Sequence, residues 1–286
     1  MRVNDFTAFA DLERSRWSDP VQAANYVRFF TPASDQAIDS LIDVAGAERD
    51  LEALDLCCGQ GNAAQALVAR GCHVVGVDFS SAMLAFARGR ASRARFVAAD
   101  AQDLPFDDAK FDVVVSNFGI PHIPDHRRAL AEVRRVIRPG GRLAMTLWCG
   151  PDVSPCMDVV YSTLELHRSA DVSPPPTPDF LQFARPEQAE KLLYEAGFSN
   201  VGFSIVECVW DLDSPERLFE IFANGSFRTA MLLDGQPPEK VAAIRAAMAA
   251  EVRRRFGAGT RWRVPIPAAL LRATPGSRQV DAQRRT

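Results

Sequence analysis

The residues best suited to chemistry sit where short apolar runs give way to turns. The run Asp55-Leu56-Cys57-Cys58-Gly59-Gln60-Gly61-Asn62 closes the first such run and opens a helical segment. Gly59 and Gly61 permit a tight turn and let a ligand approach the backbone closely. The helix that follows presents free N–H groups. A plain strand-to-helix turn would use the same glycines, so this motif alone does not decide. Asp78 ends the next apolar run, nineteen positions beyond Gly59, a spacing at which a carboxylate can accept both hydroxyls of a ribose. Its alternative role is to cap the following helix, a role open also to Ser80 or Ser81. Asp100 and Ala101 follow a third run. There a carboxylate can accept from an adenine amino group and a backbone N–H can serve a ring nitrogen. Three successive strand ends, each suited to an adenosine contact, point together to a nucleoside-bearing ligand.

The sign of the charge at Asp55 narrows that ligand. A dinucleotide fingerprint is G-x-G-x-x-G, whose third position also tolerates the alanine found here as Ala64. A carboxylate inside the first turn repels a pyrophosphate, whereas it pairs with the ammonium of an amino-acid moiety. The turn therefore favours a cofactor with an amino-acid end and disfavours a nicotinamide-dependent oxidoreductase.

The elements that must position these residues are legible from periodicity. Strands are expected at 53–58, 73–78, 94–100, 111–118 and 141–148, several of them near-continuous apolar runs of the kind buried on both faces of a parallel sheet. Helices are expected between them, at Asn62–Arg70 and His126–Ile137 among others, which makes a doubly wound α/β core. Pro139-Gly140-Gly141 ends the helix before the fifth strand. Pro151, Pro155 and the run Ser173–Pro178 mark a lid, an insertion or an irregular loop. A helix over 186–197, a strand over 201–210, helices near 215–223 and 238–256, and a last strand over Val264–Leu271 complete the expectation. The expected division is an amino-terminal helical lid at 1–50, a ligand-binding core at 51–148, a variable insertion at 149–182, the remainder of the sheet with cap helices at 183–274, and a flexible tail at 275–286.

Composition bounds the function. The 286 residues carry a net charge of −3, with no basic footprint for nucleic acid or anionic membrane. The sequence holds no apolar run long enough to span a bilayer and no secretory signal, and six cysteines without a C-x-x-C pair read as reduced thiols and not as a zinc site or disulfide framework. The expected location is the cytoplasm, the expected partner a small molecule, with neither nucleic acid nor metal. The number of subunits is left open.

Taken together, LDLCCGQG, VVGVDFSSAML, ARFVAADAQDLPFDDAKFDVVVSNF and RRALAEVRRVIRPGGRLAMTLW resemble the class I S-adenosylmethionine-dependent methyltransferases, in the branch similar to ubiquinone- and menaquinone-biosynthesis enzymes. The resemblance runs from about Leu51 to Leu147 and resumes at RPEQAEKLLYEAGFSNV. It implies a Rossmann-like seven-stranded sheet, mostly parallel with an antiparallel edge strand, carrying helical lid segments. It further implies that Asp55, Cys57, Gly59 and Gly61 hold the methionine end of the cofactor. Asp78 would bind the ribose, Phe79 would pack on adenine, Asp100 and Ala101 would read its edge, and Asn117 with Phe118 would line the sulfonium. Cys57 departs from the glycine of many relatives and cannot adopt φ > 0 cheaply.

For the transfer itself, alignment and exclusion of water supply much of the rate. A general base helps where the acceptor is a hydroxyl or an acidic carbon. His122 is the candidate base, with a structural or pocket-lining role as its alternative. His126 starts a helix and His73 a strand. Tyr26 and Trp17 are candidates to close over the cofactor, with core or lid packing as their alternative, and Tyr26 is also a candidate to touch the substrate. His167, Phe180 and Phe183, with Phe222 and Phe227, are candidates for an acceptor pocket or for lid packing. A protein of this fold can also use the same cofactor in cyclisation or elimination, because fold does not fix function.

Overall fold

The structure is a computed structural model that describes residues 6–172, 176–257 and 259–276. The expected tail beyond Gly276 and residues 173–175 of the proline-rich run lie outside the described residues. Four helices open the chain: α1 (Thr7–Ser18), α2 (Pro20–Phe29), α3 (Thr31–Ser34) and α4 (Ile38–Ala45). The α/β core follows as β1 (Glu52–Leu56), α5 (Asn62–Ala69), β2 (His73–Asp78), α6 (Ser81–Arg90), β3 (Arg95–Ala98), β4 (Phe111–Asn117), α7 (His126–Val136) and β5 (Ile137–Trp148). Then come α8 (Pro155–His167), α9 (Pro186–Glu195), β6 (Phe198–Val206) and β7 (Val209–Leu212). The chain continues through α10 (Arg217–Gly225), α11 (Phe227–Leu233), α12 (Pro238–Phe256), β8 (Trp262–Pro265) and β9 (Ala268–Pro275).

Seven strands form one sheet in the order β3-β2-β1-β4-β5-β9-β6, while β7 and β8 pair as a separate antiparallel ribbon. Strands β1 to β5 are mutually parallel, and β9 runs antiparallel to both of its neighbours. The antiparallel strand thus lies one place in from the edge. Its residues explain the position: Ala268, Ala269, Leu270, Leu271 and Ala273 are all buried, whereas most of β6 is half-buried or exposed, as suits the outermost strand. The single strand expected over Val264–Leu271 is two, β8 and β9, because Pro265 and Pro267 lack the N–H needed to carry one ladder through. The strand expected over 201–210 likewise divides into β6 and β7, and α11 was not foreseen.

Alternation along each strand builds two core layers. Leu54, Leu56, Val75, Val77, Val114, Leu143 and Met145 face Leu130, Val133 and Val136 of α7 and Leu193 of α9. Ala53, Val74, Val113, Val115 and Ala144 face the opposite way, onto Ile38, Leu41 and Ile42 of α4 and Leu67 of α5. A third apolar cluster joins α8, α10 and α12 to the β7–β8 ribbon around Trp210, Phe222, Met248 and Val252. Side-chain caps fix where the key helices start: Ser80 accepts the Met83 N–H, Asp125 the Arg128 N–H and Asp19 the Val21 N–H.

Candidate functional site

Strand order reverses between β1 and β4, so their carboxyl ends flank a crevice. A cleft of about 1090 Å³, mouth included, opens there. Asp55 and Cys57 line it from the end of β1, Asp78 and Phe79 from β2, Asp100 and Ala101 after β3, and Asn117 and Phe118 from β4. Gly59, Trp17, Tyr26 and His122 complete the wall among the residues expected from sequence.

Asp55 is buried. Its Oδ2 accepts the Ala64 N–H (2.8 Å), and its Oδ1 has no hydrogen-bond partner among the described residues. Burial pushes its pKa up to about 7, the Ala64 N–H offsetting only part of that. Asp78 accepts Gly59 N–H (2.9 Å) on Oδ2 and Ser80 N–H (2.9 Å) on Oδ1. Desolvation raises its pKa against those two bonds. Since Ser80 caps α6, the Asp78 carboxylate is free of that task and keeps acceptor capacity for a ligand. Asp100 accepts from the Gln102 N–H (2.9 Å) and side-chain amide (3.0 Å), and from Arg14 (3.2 Å). Burial works against ionisation there, yet Gln102 and Arg14 together hold the carboxyl below its usual range.

Two non-glycine residues take left-handed backbone at this crevice: Cys57 (φ 56°) and Phe118 (φ 60°). The turn after β1 therefore keeps its shape without glycine at Cys57, with local strain of about 1–2 kcal/mol. Gly119 makes room for it, because a Cβ there would stand 2.4 Å from the Cys57 Cβ. The Cys57 thiol is held far above its ordinary pKa, first by burial and then by Asp78, Asp55 and Asp100. It lines the cleft as a neutral group. Asn117 is tied down by Thr146, whose hydroxyl donates to its Oδ1 (2.6 Å), and Phe118 stacks on Trp148 with ring centres 3.9 Å apart.

The opposite wall comes from α1. Glu13, only 2 % exposed, accepts from Trp17 Nε1 (2.6 Å) and from His122 Nδ1 (3.0 Å). Arg14 reaches Asp100 and lies 5.5 Å over the Phe79 ring. The Ser80 hydroxyl donates to the Trp17 carbonyl, and Trp17 meets Tyr26 and His122 edge-on at 5.0 and 5.2 Å. Sequence reasoning named Trp17 but not Glu13 or Arg14. The available signal was Phe9, Glu13 and Trp17 at i, i+4 and i+8, an acid set between two aromatics on one helix face.

Six expected residues lie off the cleft. Gly61 (φ 82°) opens α5, and a Cβ there would approach Ala87 of α6 at 3.0 Å, so its smallness serves helix packing. Phe183 is core, edge-on to His126 at 5.4 Å. Phe180 packs on Phe9 at 5.6 Å under the Arg228 guanidinium. His167 ends α8 away from the cavity wall. Phe222 and Phe227 belong to the helical clusters. His126 is bonded to the Ile120 carbonyl (3.0 Å) and to Gln182 (2.8 Å), and burial lowers its pKa to about 4, so it is a neutral, structural histidine.

Comparison with known proteins bears on the family and the fold. Residues 54–145 match the family model described as a methyltransferase domain. The chain is 46 % identical over 103 residues to a demethylmenaquinone methyltransferase of Clavibacter sepedonicus, covering 35 % of this chain and 42 % of that protein. It is 35 % identical over 172 residues to the demethylmenaquinone methyltransferase of Beutenbergia cavernae, covering 57 % of this chain and 71 % of that protein. The match thus spans less than half of the first relative's length and over two thirds of the second's. The fold is shared with the YcgJ protein of Bacillus subtilis at a TM-score of 0.55 and 18 % identity, over 84 % of this chain and 98 % of that one. The chain belongs to the class I S-adenosylmethionine-dependent methyltransferases of the menaquinone/ubiquinone type.

Proposed function

We propose that the protein transfers a methyl group from S-adenosylmethionine to a small aromatic acceptor bearing a hydroxyl, a phenol or hydroquinone. The observation that carries this reading is the set of three carboxylates, Asp55, Asp78 and Asp100, around one cleft, with Asp55 Oδ1 buried and unpartnered. That charge pattern suits a cation and opposes a phosphate. Asp55 would take the ammonium, Asp78 the ribose hydroxyls, and Asp100 with the Ala101 N–H the adenine edge. Gly59 leaves space for the ligand, since a Cβ there would meet nothing within 4 Å. The cofactor, when bound, supplies an already activated methyl group.

What the chain adds is placement, dryness and a proton acceptor. Trp17, Tyr26 and Phe118 wall the cleft with aromatic surface, which aligns a flat acceptor and keeps water out. His122, which also lines the cleft, would receive the acceptor's proton. The relatives named above are demethylmenaquinone methyltransferases, which supports a hydroquinone ring as the acceptor. Six free cysteines support a reducing, cytoplasmic setting, and no described helix is long and apolar enough to cross a membrane.

The test is to incubate the pure protein with S-adenosylmethionine and 1,4-naphthohydroquinone, catechol or simple phenols under reducing conditions. Stoichiometric S-adenosylhomocysteine and a methylated acceptor are expected. An acceptor transformed without any S-adenosylhomocysteine would replace this reading with a cyclisation or elimination, and inertness toward the whole set would overturn the acceptor class.

A further inference from the structure

Glu13 is an acid on a helix face between Phe9 and Trp17, nearly inaccessible, and its only ionisable partner among the described residues is His122 across the cleft. Burying a carboxylate without a partner is costly, so its retention there requires the contacts it makes. Both lie on the cavity wall, Glu13 from the lid helix α1 and His122 from the short turn after β4. Glu13 Oε2 stands 3.0 Å from His122 Nδ1 and Oε1 3.3 Å, while Trp17 Nε1 donates to Oε2 from one helical turn further on.

We propose that Glu13 is the positioning residue of a carboxylate–imidazole pair that makes His122 the proton acceptor of this site, and that the pair is assembled only when α1 is seated. The inference rests on the methyl-transfer reading above. A carboxylate at Nδ1 selects the tautomer with hydrogen there and leaves the Nε2 lone pair as the basic site. No hydrogen bond among the described residues engages Nε2. In the reaction the acceptor's O–H bond breaks, its electron pair stays on oxygen, and the proton forms an N–H bond at Nε2. The resulting imidazolium is balanced by the Glu13 carboxylate.

Three ionisable groups act on the ring electrostatically: Glu13 from α1, which touches it, Asp78 from the end of β2 and His126 from α7. Burial opposes the charged imidazole, yet Glu13 and then Asp78 outweigh it and raise the pKa above the ordinary value. Replacing Glu13 with a neutral group removes the nearer negative charge, so the midpoint must fall. The same substitution loosens the tautomer, so the rate must fall even where His122 is fully deprotonated. A contact that only docks α1 would change stability and substrate KM without moving an acid limb.

The experiment follows His122 by NMR of the full chain with labelled histidine, and follows kcat against pH with 1,4-naphthohydroquinone, in wild type, Glu13→Gln and Glu13→Asp. Expected in Glu13→Gln are a His122 midpoint and a kcat acid limb that both move to lower pH, with plateau kcat down on the order of tenfold or more. Glu13→Asp, which keeps the charge, recovers part of both. An unchanged midpoint and acid limb in Glu13→Gln would overturn the pair while leaving methyl transfer intact. Wild-type protein that binds S-adenosylhomocysteine but transfers no methyl group would count against the proposed activity, and the base role would fall with it.

Discussion

The two walls of the cleft are built by different rules. The strand-end wall, with Asp55, Asp78 and Asp100, hangs from backbone geometry: the carboxylates sit at or just beyond the ends of β1, β2 and β3, and each accepts backbone N–H groups, from Ala64 for Asp55, Gly59 and Ser80 for Asp78, and Gln102 for Asp100. The lid wall, with Glu13, Arg14 and Trp17, hangs from one helix whose Arg14 and Glu13 side chains and Trp17 carbonyl meet partners 63 to 109 residues away. The first wall takes its backbone bonds from within the α/β core, whereas three bonds of the second run to Asp100, Ser80 and His122. Binding strength should therefore reside in the strand ends, and proton transfer in the contact between the walls.

Substitutions at the two walls sharpen or break that division. Asp55→Ala removes the one buried carboxylate oxygen available to an ammonium, and S-adenosylhomocysteine affinity should fall about a hundredfold by calorimetry, on the scale of a charged hydrogen bond. A loss under threefold would mean the strand-end wall is not the anchor. His122→Asn should reduce turnover on the order of a hundredfold while leaving S-adenosylhomocysteine affinity within about threefold. Equal losses of both would erase the difference between the walls.

Acidity tests the same carboxylate without mutation. With its pKa raised to about 7, Asp55 takes up a proton as pH falls through neutrality, and that proton competes with the ammonium. The apparent dissociation constant of S-adenosylhomocysteine should thus rise below about pH 7, by up to roughly tenfold per unit, and this dependence should vanish in Asp55→Asn. An affinity flat from pH 5.5 to 8 in wild type would contradict the buried-acid account.

Smaller effects are expected at exposed or merely strained positions. Arg14 is more than half exposed, so its bond to Asp100 is worth little in isolation. Arg14→Ala should change S-adenosylhomocysteine affinity by no more than a few-fold and the melting temperature by a few degrees at most. Cys57→Gly relieves left-handed strain but adds freedom to the unfolded chain, so denaturant unfolding should show a net change within about 1 kcal/mol. A larger loss would mean that the Cys57 side chain, and not the turn alone, shapes the crevice.

Most of the strand-end wall was legible because its signals are local. An apolar run followed by an acid or by G-x-G names both the strand and the group at its end, and His73–Asp78 is the same span in sequence and structure. The lid wall was not legible, because an acid in a helix reads equally as a solvated residue. Only burial and the tertiary contact with His122 distinguish Glu13 from Asp11, two places earlier and exposed. The aromatic candidates Phe180 and Phe183 illustrate the same limit. Composition marked them as apolar, but only packing shows that Phe183 lies beneath the sheet and Phe180 beside Phe9. The carboxyl-terminal strands were blurred where prolines divide a continuous apolar run into β8 and β9, a break the prolines themselves announced.

The central claim is that an acid-lined crevice at the ends of β1, β2 and β3 holds a cationic sulfonium nucleoside. Calorimetric titration of the pure chain at pH 8 with S-adenosylmethionine, S-adenosylhomocysteine and NAD tests it most directly. Saturable one-to-one binding of both sulfur nucleosides, with no heat from NAD, is the predicted result. Binding of NAD with neither sulfur nucleoside bound would contradict the account at Asp55, where it begins.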